Sequence, residues 1–223
     1  MKRFTILFAA SLLLFACAKK APVVDPDDVE DVVTVPEGAV DLGIVLSRPD
    51  GTTYHVFWAE CNVGASKPEE YGDFFAWGET ETKSSFTPAN YKWKSGYPNA
   101  ELAAEDDAAY VNMGPQWRTP SKEQMNALRT ECRWEKGSLN GVAGYYVIGK
   151  NDNKIFLPFA GYMYHSQNQG VVTSGNFWSR SMNSEEGSNI YYMGIDNEHS
   201  VTEFTNHTAP QNGCSVRAVY NNE

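Results

Sequence analysis

Catalysis or metal binding would have to begin from histidine, cysteine and carboxylate side chains, and these are sparsely arranged here. The four histidines are His55, His165, His199 and His207, and none stands at helical ligand spacing from another. His199 and His207 could approach each other in a loop, but two loop histidines without a third ligand make a poor metal site. Cys61, Cys132 and Cys214 include no C-x-x-C, so zinc and dithiol redox motifs have no support. Asp106-Asp107 and Glu69-Glu70 are neighbours in sequence, and adjacent side chains diverge. Paired glycosidase acids come instead from separate elements that the fold brings together. The chain has no Gly-rich phosphate loop, no G-x-S-x-G, no H-E-x-x-H and no D-x-D-x-D-G calcium loop. The expectation is a non-enzymatic protein with no catalytic residue, no metal and no cofactor.

Binding has better material. Aromatic residues make up 13% of the 223 residues, with six Trp and twelve Tyr, which is the composition of a folded chain. Trp77, Tyr91, Trp93 and Tyr97 lie in a stretch, 64–100, rich in Gly, Pro and Ser and poor in periodicity. Long ordered loops pinned by aromatic anchors are expected there, with a ligand platform as the alternative. A net charge of −10 argues against nucleic acid, because phosphate binding needs clustered Lys and Arg.

The amino-terminal end sets the compartment. Lys2 and Arg3 precede an apolar run, Phe4 to Phe15, which is short for a bilayer span. Leu14-Phe15-Ala16-Cys17 resembles a lipobox, so residues 1–16 are expected to be a lipoprotein signal peptide and Cys17 the lipidated residue. An ordinary secretory signal is the alternative. Residues 17–38 carry six acids and three prolines and are expected to be an extended tether. This acidic stretch resembles the signals that send Bacteroidetes-type lipoproteins to the cell surface, so an outer-membrane lipoprotein facing outward is expected, with the periplasmic face as the alternative. The membrane is then a partner through the lipid alone. Three cysteines remain in an oxidising compartment, and their pairing stays open.

From Ala39 the texture is that of a domain. Val40–Ser47 and Thr53–Ala59 read as a hairpin around Asp50-Gly51. Glu105–Asn112 reads as a short helix with Asp106 as N-cap. Lys122–Cys132 reads as a second helix, with Ser121 and Gln124 forming a capping box. Gly144–Lys150 and Lys154–Pro158 flank the turn residues Asn151-Asp152-Asn153. Asn176–Met182, Ile190–Asp196 and Ser215–Tyr220 read as further strands. Within Gly114-Pro115-Gln116-Trp117-Arg118-Thr119-Pro120, Trp117 is a large ring to bury. Arg118 is a cation for pinning a loop on a carboxylate or on backbone carbonyls, or for holding a substrate. Trp77, Trp117 and Arg118 are taken as structural.

Several blocks together resemble a known family. Trp58-Ala59-Glu60-Cys61-Asn62-Val63-Gly64-Ala65, Tyr71-Gly72-Asp73-Phe74-Phe75-Ala76-Trp77-Gly78-Glu79 and the block from Gly114 to Leu128 are similar to Fibrobacter succinogenes major paralogous domains. Ile155–Tyr162, Phe177-Trp178-Ser179-Arg180-Ser181 and Cys214-Ser215-Val216-Arg217-Ala218-Val219 extend the likeness over 39–221. The resemblance implies an α+β, C-type-lectin-like domain of the formylglycine-generating-enzyme kind, with small antiparallel sheets, two short helices and long ordered loops. The cysteines do not match that enzyme's site, so its activity is not carried over. In such folds the segment before the last strand is often a binding face. Trp178, Arg180, Tyr191, Asn197 and His199 are accordingly the expected contacts to an extracellular glycan or protein ligand. A structural, adhesin-tip or accessory role in a surface assembly is the alternative, and a diverged hydrolase ranks last.

Overall fold

A computed structural model describes residues 33–183, 189–198 and 204–222. The signal peptide, Cys17 and most of the tether lie outside the described residues, as does His199. Val35–Glu223 forms one compact unit. In chain order its elements are β1 (Ala39–Ser47), β2 (Thr53–Ala59), α1 (Ala108–Met113), β3 (Trp117–Arg118), α2 (Lys122–Glu131), β4 (Arg133–Leu139), β5 (Val142–Ile148) and β6 (Lys154–Pro158). They continue with β7 (Tyr162–Tyr164), β8 (Gln167–Gln169), β9 (Ser174–Asn183), β10 (Asn189–Asp196), β11 (Phe204–Thr208) and β12 (Val219–Tyr220). The architecture is mixed α/β, built mostly from small antiparallel sheets with two α-helices among the described residues.

Local turn chemistry sets the hairpins. The β1–β2 turn closes where Asp50 Oδ1 accepts from the Thr52 amide at 2.9 Å and from the Thr52 hydroxyl at 2.7 Å. Asn140-Gly141, both at positive φ, joins β4 to β5, and Asp152, at φ 64°, lies in the β5–β6 turn. The sheet order β1-β2-β12-β3 brings the two ends of the domain together, with Val219 opposite both Trp58 and Arg118. A meander, β4-β5-β6, and a second three-stranded sheet, β11-β10-β9, complete the larger layers.

The middle of β9 is walled in on both sides. Phe177 and Trp178 are consecutive, so their side chains leave opposite faces of the strand. Phe177 packs with Trp58, Leu128, Met193 and Ile195 in one core. Trp178 packs with Phe75, Trp77, Ile190 and Val216 in the other. A strand covered on both faces has no room for exposed large side chains.

Four sequence expectations change. The first α-helix starts at Ala108 and is capped by Asp107, whose carboxylate accepts from the Ala109 amide at 2.9 Å; residues 104–106 form a 3-10 turn instead. Asp106 is drawn away toward Lys92 and Tyr97. Only Val219–Tyr220 of the expected last strand joins a ladder. Ser215 forms an isolated bridge to Phe177, and the stretch between is held by the Val63 amide donating to Val216 O, the Ala59 amide donating to Ala218 O and the Arg217 side chain. The second helix ends at Glu131, with Cys132 as its C-cap, while its Ser121–Gln124 capping box is present. Finally, β4, β7, β8 and β11 were not expected. All three cysteines after Cys17 are free thiols.

Candidate functional site

The stretch 74–102 has little regular structure, so tertiary bonds must hold it. At its start, the Phe75 amide and carbonyl pair with Cys214 at 3.0 Å each, and the Trp77 amide donates to Pro210 O at 2.8 Å. In the middle, Phe86 pairs with His165. At its end, the Leu102 amide donates to Arg180 O at 3.0 Å and the Met182 amide donates to Ala100 O at 2.7 Å. Both ends of the loop are therefore laid against β9 and the 210–214 segment.

Between the two runs a cleft of about 240 Å³ opens. Tyr91, Trp93 and Tyr97 form the wall from the early loop, and Met182, Ile190 and Pro210 lie in the later segments. The rings are locked edge-to-face. Tyr97 stands 5.0 Å from Trp77 at 78° and 4.7 Å from Trp93 at 81°, centroid to centroid. Every polar atom on these rings is committed inward. Trp77 Nε1 donates to Ser179 O at 2.8 Å, Tyr91 Oη to Trp77 O at 2.9 Å, and Trp93 Nε1 to Gly78 O at 2.8 Å. Tyr97 Oη donates to Asp106 at 3.0 Å and accepts from the Ala103 amide at 2.8 Å. Burial, with Glu79 next in order, pushes the Tyr91 phenol well above its ordinary range. What these rings turn toward the cleft is carbon surface, and Lys94 and Gln211 add polar groups to the lining. Gly78 makes the arrangement possible: its φ is +73°, and a Cβ there would stand 2.8 Å from Trp93 Nε1.

Behind the cleft sits a charged node. Asp107, fully buried, accepts from Arg118 Nε at 2.7 Å, from the Thr119 hydroxyl at 2.6 Å and from the Thr119 amide. Arg118 also donates to Leu102 O at 2.7 Å, which ties the end of the aromatic loop to β3. Of the open readings of Arg118, the geometry selects loop pinning, on a carboxylate and a carbonyl at once. Trp117 is buried and packs edge-on against Tyr220. The adjacent acids serve different clusters. Glu70 is held below the usual carboxylate range by hydrogen bonds from the Ser66 backbone and hydroxyl, and Glu69 by one from the Asn140 side chain.

The four expected contacts that are described do not come together on one open face. Trp178 is 1% exposed, with its indole donating to Phe75 O at 2.7 Å, so the core claims its ring. Arg180 is 5% exposed and donates to Glu101 at 3.0 Å and to Thr119 O at 3.3 Å, so it bolts the loop end to β9 and does not face a ligand. Tyr191 is half-buried, with Lys122 Nζ 5.3 Å from its ring centroid. Asn197 is exposed, its amide donating to Thr173 O at 3.0 Å. Six residues of strand separate those two by about 20 Å. His199 is outside the described residues. Trp77, taken as structural, is buried beneath the cleft.

Arg217 was named only within a family-like block, with no role assigned. Its guanidinium is fully buried, donating to Asn62 Oδ1 at 2.9 Å, Glu60 O at 2.8 Å and Phe156 O at 2.9 Å, and so joins the end of β2 to β6. Desolvation lowers its pKa to about 10, which leaves it cationic at neutral pH. Nothing in a single sequence marks one arginine as a core bolt. Among the described residues no three His, Cys, Asp or Glu side chains converge to hold a metal, and no helix is long and apolar enough to cross a membrane. No family model matches the chain, and no curated protein or solved structure matches it either.

Proposed function

We propose that the chain is a lipid-anchored envelope protein that recognises an extracellular glycan or protein without transforming it, and that the aromatic cleft is the contact site. The carrying observation is the cleft itself: Tyr97 braced edge-to-face against Trp77 and Trp93, Tyr91 beside them, and the polar atoms of all these rings bonded inward. Such a surface is rigid before a ligand arrives, so little ordering entropy is lost on binding. Many copies on one membrane then add avidity to a shallow site. The lowered carboxyls of Glu69 and Glu70 are the opposite of what a general acid at neutral pH needs.

The finer fold assignment belongs to the same proposal. The C-type-lectin-like plan is supported by the pairing of β2 with β12 near the two ends of the domain, by the two helices and by the long ordered loop. A glycan array probed with the full-length chain in neutral detergent tests the function. Binding that Trp93→Ala abolishes is expected; array binding that Trp93→Ala leaves intact removes the cleft from the account.

One observation favours a second reading, a subunit of a surface assembly. A mostly apolar groove of about 410 Å³, with Glu60 and Lys154 among its lining, runs past Val40, Pro68, Leu139, Tyr146, Ile155 and Phe156 and draws on all three strands of the β4-β5-β6 meander. Cross-linking in native membranes separates the readings: stoichiometric capture of one partner at Tyr146 supports assembly.

A further inference from the structure

We propose that the cleft takes one acidic sugar residue, a pyranose carrying a carboxylate, with its C–H face on the aromatic wall and its carboxylate on Lys94. This rests on the cleft being the recognition site. The volume of about 240 Å³ suits one six-membered ring and not a run of them. The walls offer carbon surface, because the indole N–H groups and phenol hydroxyls are already spent on Ser179 O, Trp77 O, Gly78 O and Asp106. A saturated ring with one apolar face matches such walls, whereas a flexible acidic side chain leaves them uncovered.

Charge then selects among rings. Among the described residues no acidic side chain lines the cleft, in a chain whose net charge is −10. The neighbouring acids are already matched: Glu79 holds Lys83 at 2.6 Å, and Asp106 holds Lys92 at 2.6 Å. Lys94, exposed at the rim, makes no ion pair or hydrogen bond with the described residues. Gln211, from the later segment, lines the cleft with an amide that can both donate to and accept from ring hydroxyls. A rim cation facing an uncharged aromatic wall prefers a ring bearing a carboxylate over its neutral counterpart.

Calorimetric titration of the full-length chain in neutral detergent with oligogalacturonate and with neutral galactose oligomers of equal length tests this. The acidic series is expected to bind about tenfold tighter at low salt, with the gap narrowing at higher ionic strength. Lys94→Gln should bring the two series to equal affinity, and Lys94→Arg should preserve the gap. Equal affinities in the parent chain, or a gap that survives Lys94→Gln, overturn the acidic-sugar inference and leave the cleft standing. Preference for acidic peptides over both sugar series overturns it as well. Glycan binding that Trp93→Ala does not change overturns the cleft itself, a distinct failure.

Discussion

Trp93 and Trp178 use the same bond for different ends. Each donates its indole N–H to a backbone carbonyl, Gly78 O at 2.8 Å and Phe75 O at 2.7 Å. Trp178 sits mid-strand in β9 with a core on each side, so its ring is enclosed. Trp93 sits in a loop that has only one packed side, so part of its ring stays open. Composition pointed the other way, since the Asn-, Ser- and Tyr-rich company of Trp178 reads as a solvated recognition surface. The lesson is that a ring serves recognition when its element is covered on one face only. The polar residues around it say little about that coverage.

The largest way to break this contrast is at the node behind the loop. Asp107→Ala removes the α1 cap and the acceptor of Arg118 together. It leaves a mostly buried guanidinium without its carboxylate, and should cost about 3–5 kcal/mol in denaturant unfolding. Because Arg118 also holds Leu102 O, surviving protein should lose glycan affinity as well. Retained affinity would separate the cleft from the node.

Trp178→Ala should cost a comparable or slightly smaller amount, roughly 3–5 kcal/mol for a large ring removed from a packed core. Trp93→Ala should cost roughly 1–2 kcal/mol, since its ring is only partly buried. The binding effect should run in the opposite order for protein that remains folded. Equal stability losses at the two positions would erase the distinction between wall and cleft. Ser121→Ala is a milder probe of the wall side. The Ser121 hydroxyl accepts from the Gln124 amide at 3.2 Å, and its loss should cost about 1 kcal/mol with no change in glycan affinity.

What could be read from the sequence follows the range of the forces involved. The β1–β2 hairpin and α2 are specified by residues within four positions of one another: the Asp50 turn and the Ser121–Gln124 box. The α1 cap was misplaced by one residue because Asp106 and Asp107 have equal capping chemistry, and their distant partners, Lys92 and Arg118, decide between them. Strand β4 was missed because Arg133–Leu139 is mostly solvent-facing and lacks an apolar alternation. The rings of the cleft were expected as anchors, with a ligand platform as the alternative; the later segments that face them were not legible, since Trp77 meets Pro210 only after folding. The role of Arg217 was invisible for the same reason, its acceptors lying on Asn62, Glu60 and Phe156.

The free thiols allow the smallest and most local test. Cys214 pairs with Phe75 at the root of the aromatic loop, and Cys132 caps α2 beside the other core. Burial raises Cys214 well above its ordinary value and raises Cys132 to about 11, while Cys61 is raised by desolvation against the pull of Arg217. At pH 8 a thiol at 11 carries about a hundredfold less thiolate than one at 9, so iodoacetamide should label Cys61 first and Cys132 and Cys214 much more slowly. The stability effect has a definite sign. An acid whose folded pKa is raised contributes fully below its unfolded value, so for Cys132 stability falls as pH climbs from 9 toward 11. Trp93→Ala should leave the Cys214 labelling rate unchanged, because the Phe75–Cys214 pairing does not depend on the open ring. Trp178→Ala should speed it, because the indole bond to Phe75 O holds that pairing in place. Mass spectrometry of the labelled peptides reads all three rates at once, and a Cys214 rate that rises in both variants would mean that wall and cleft open as a single unit.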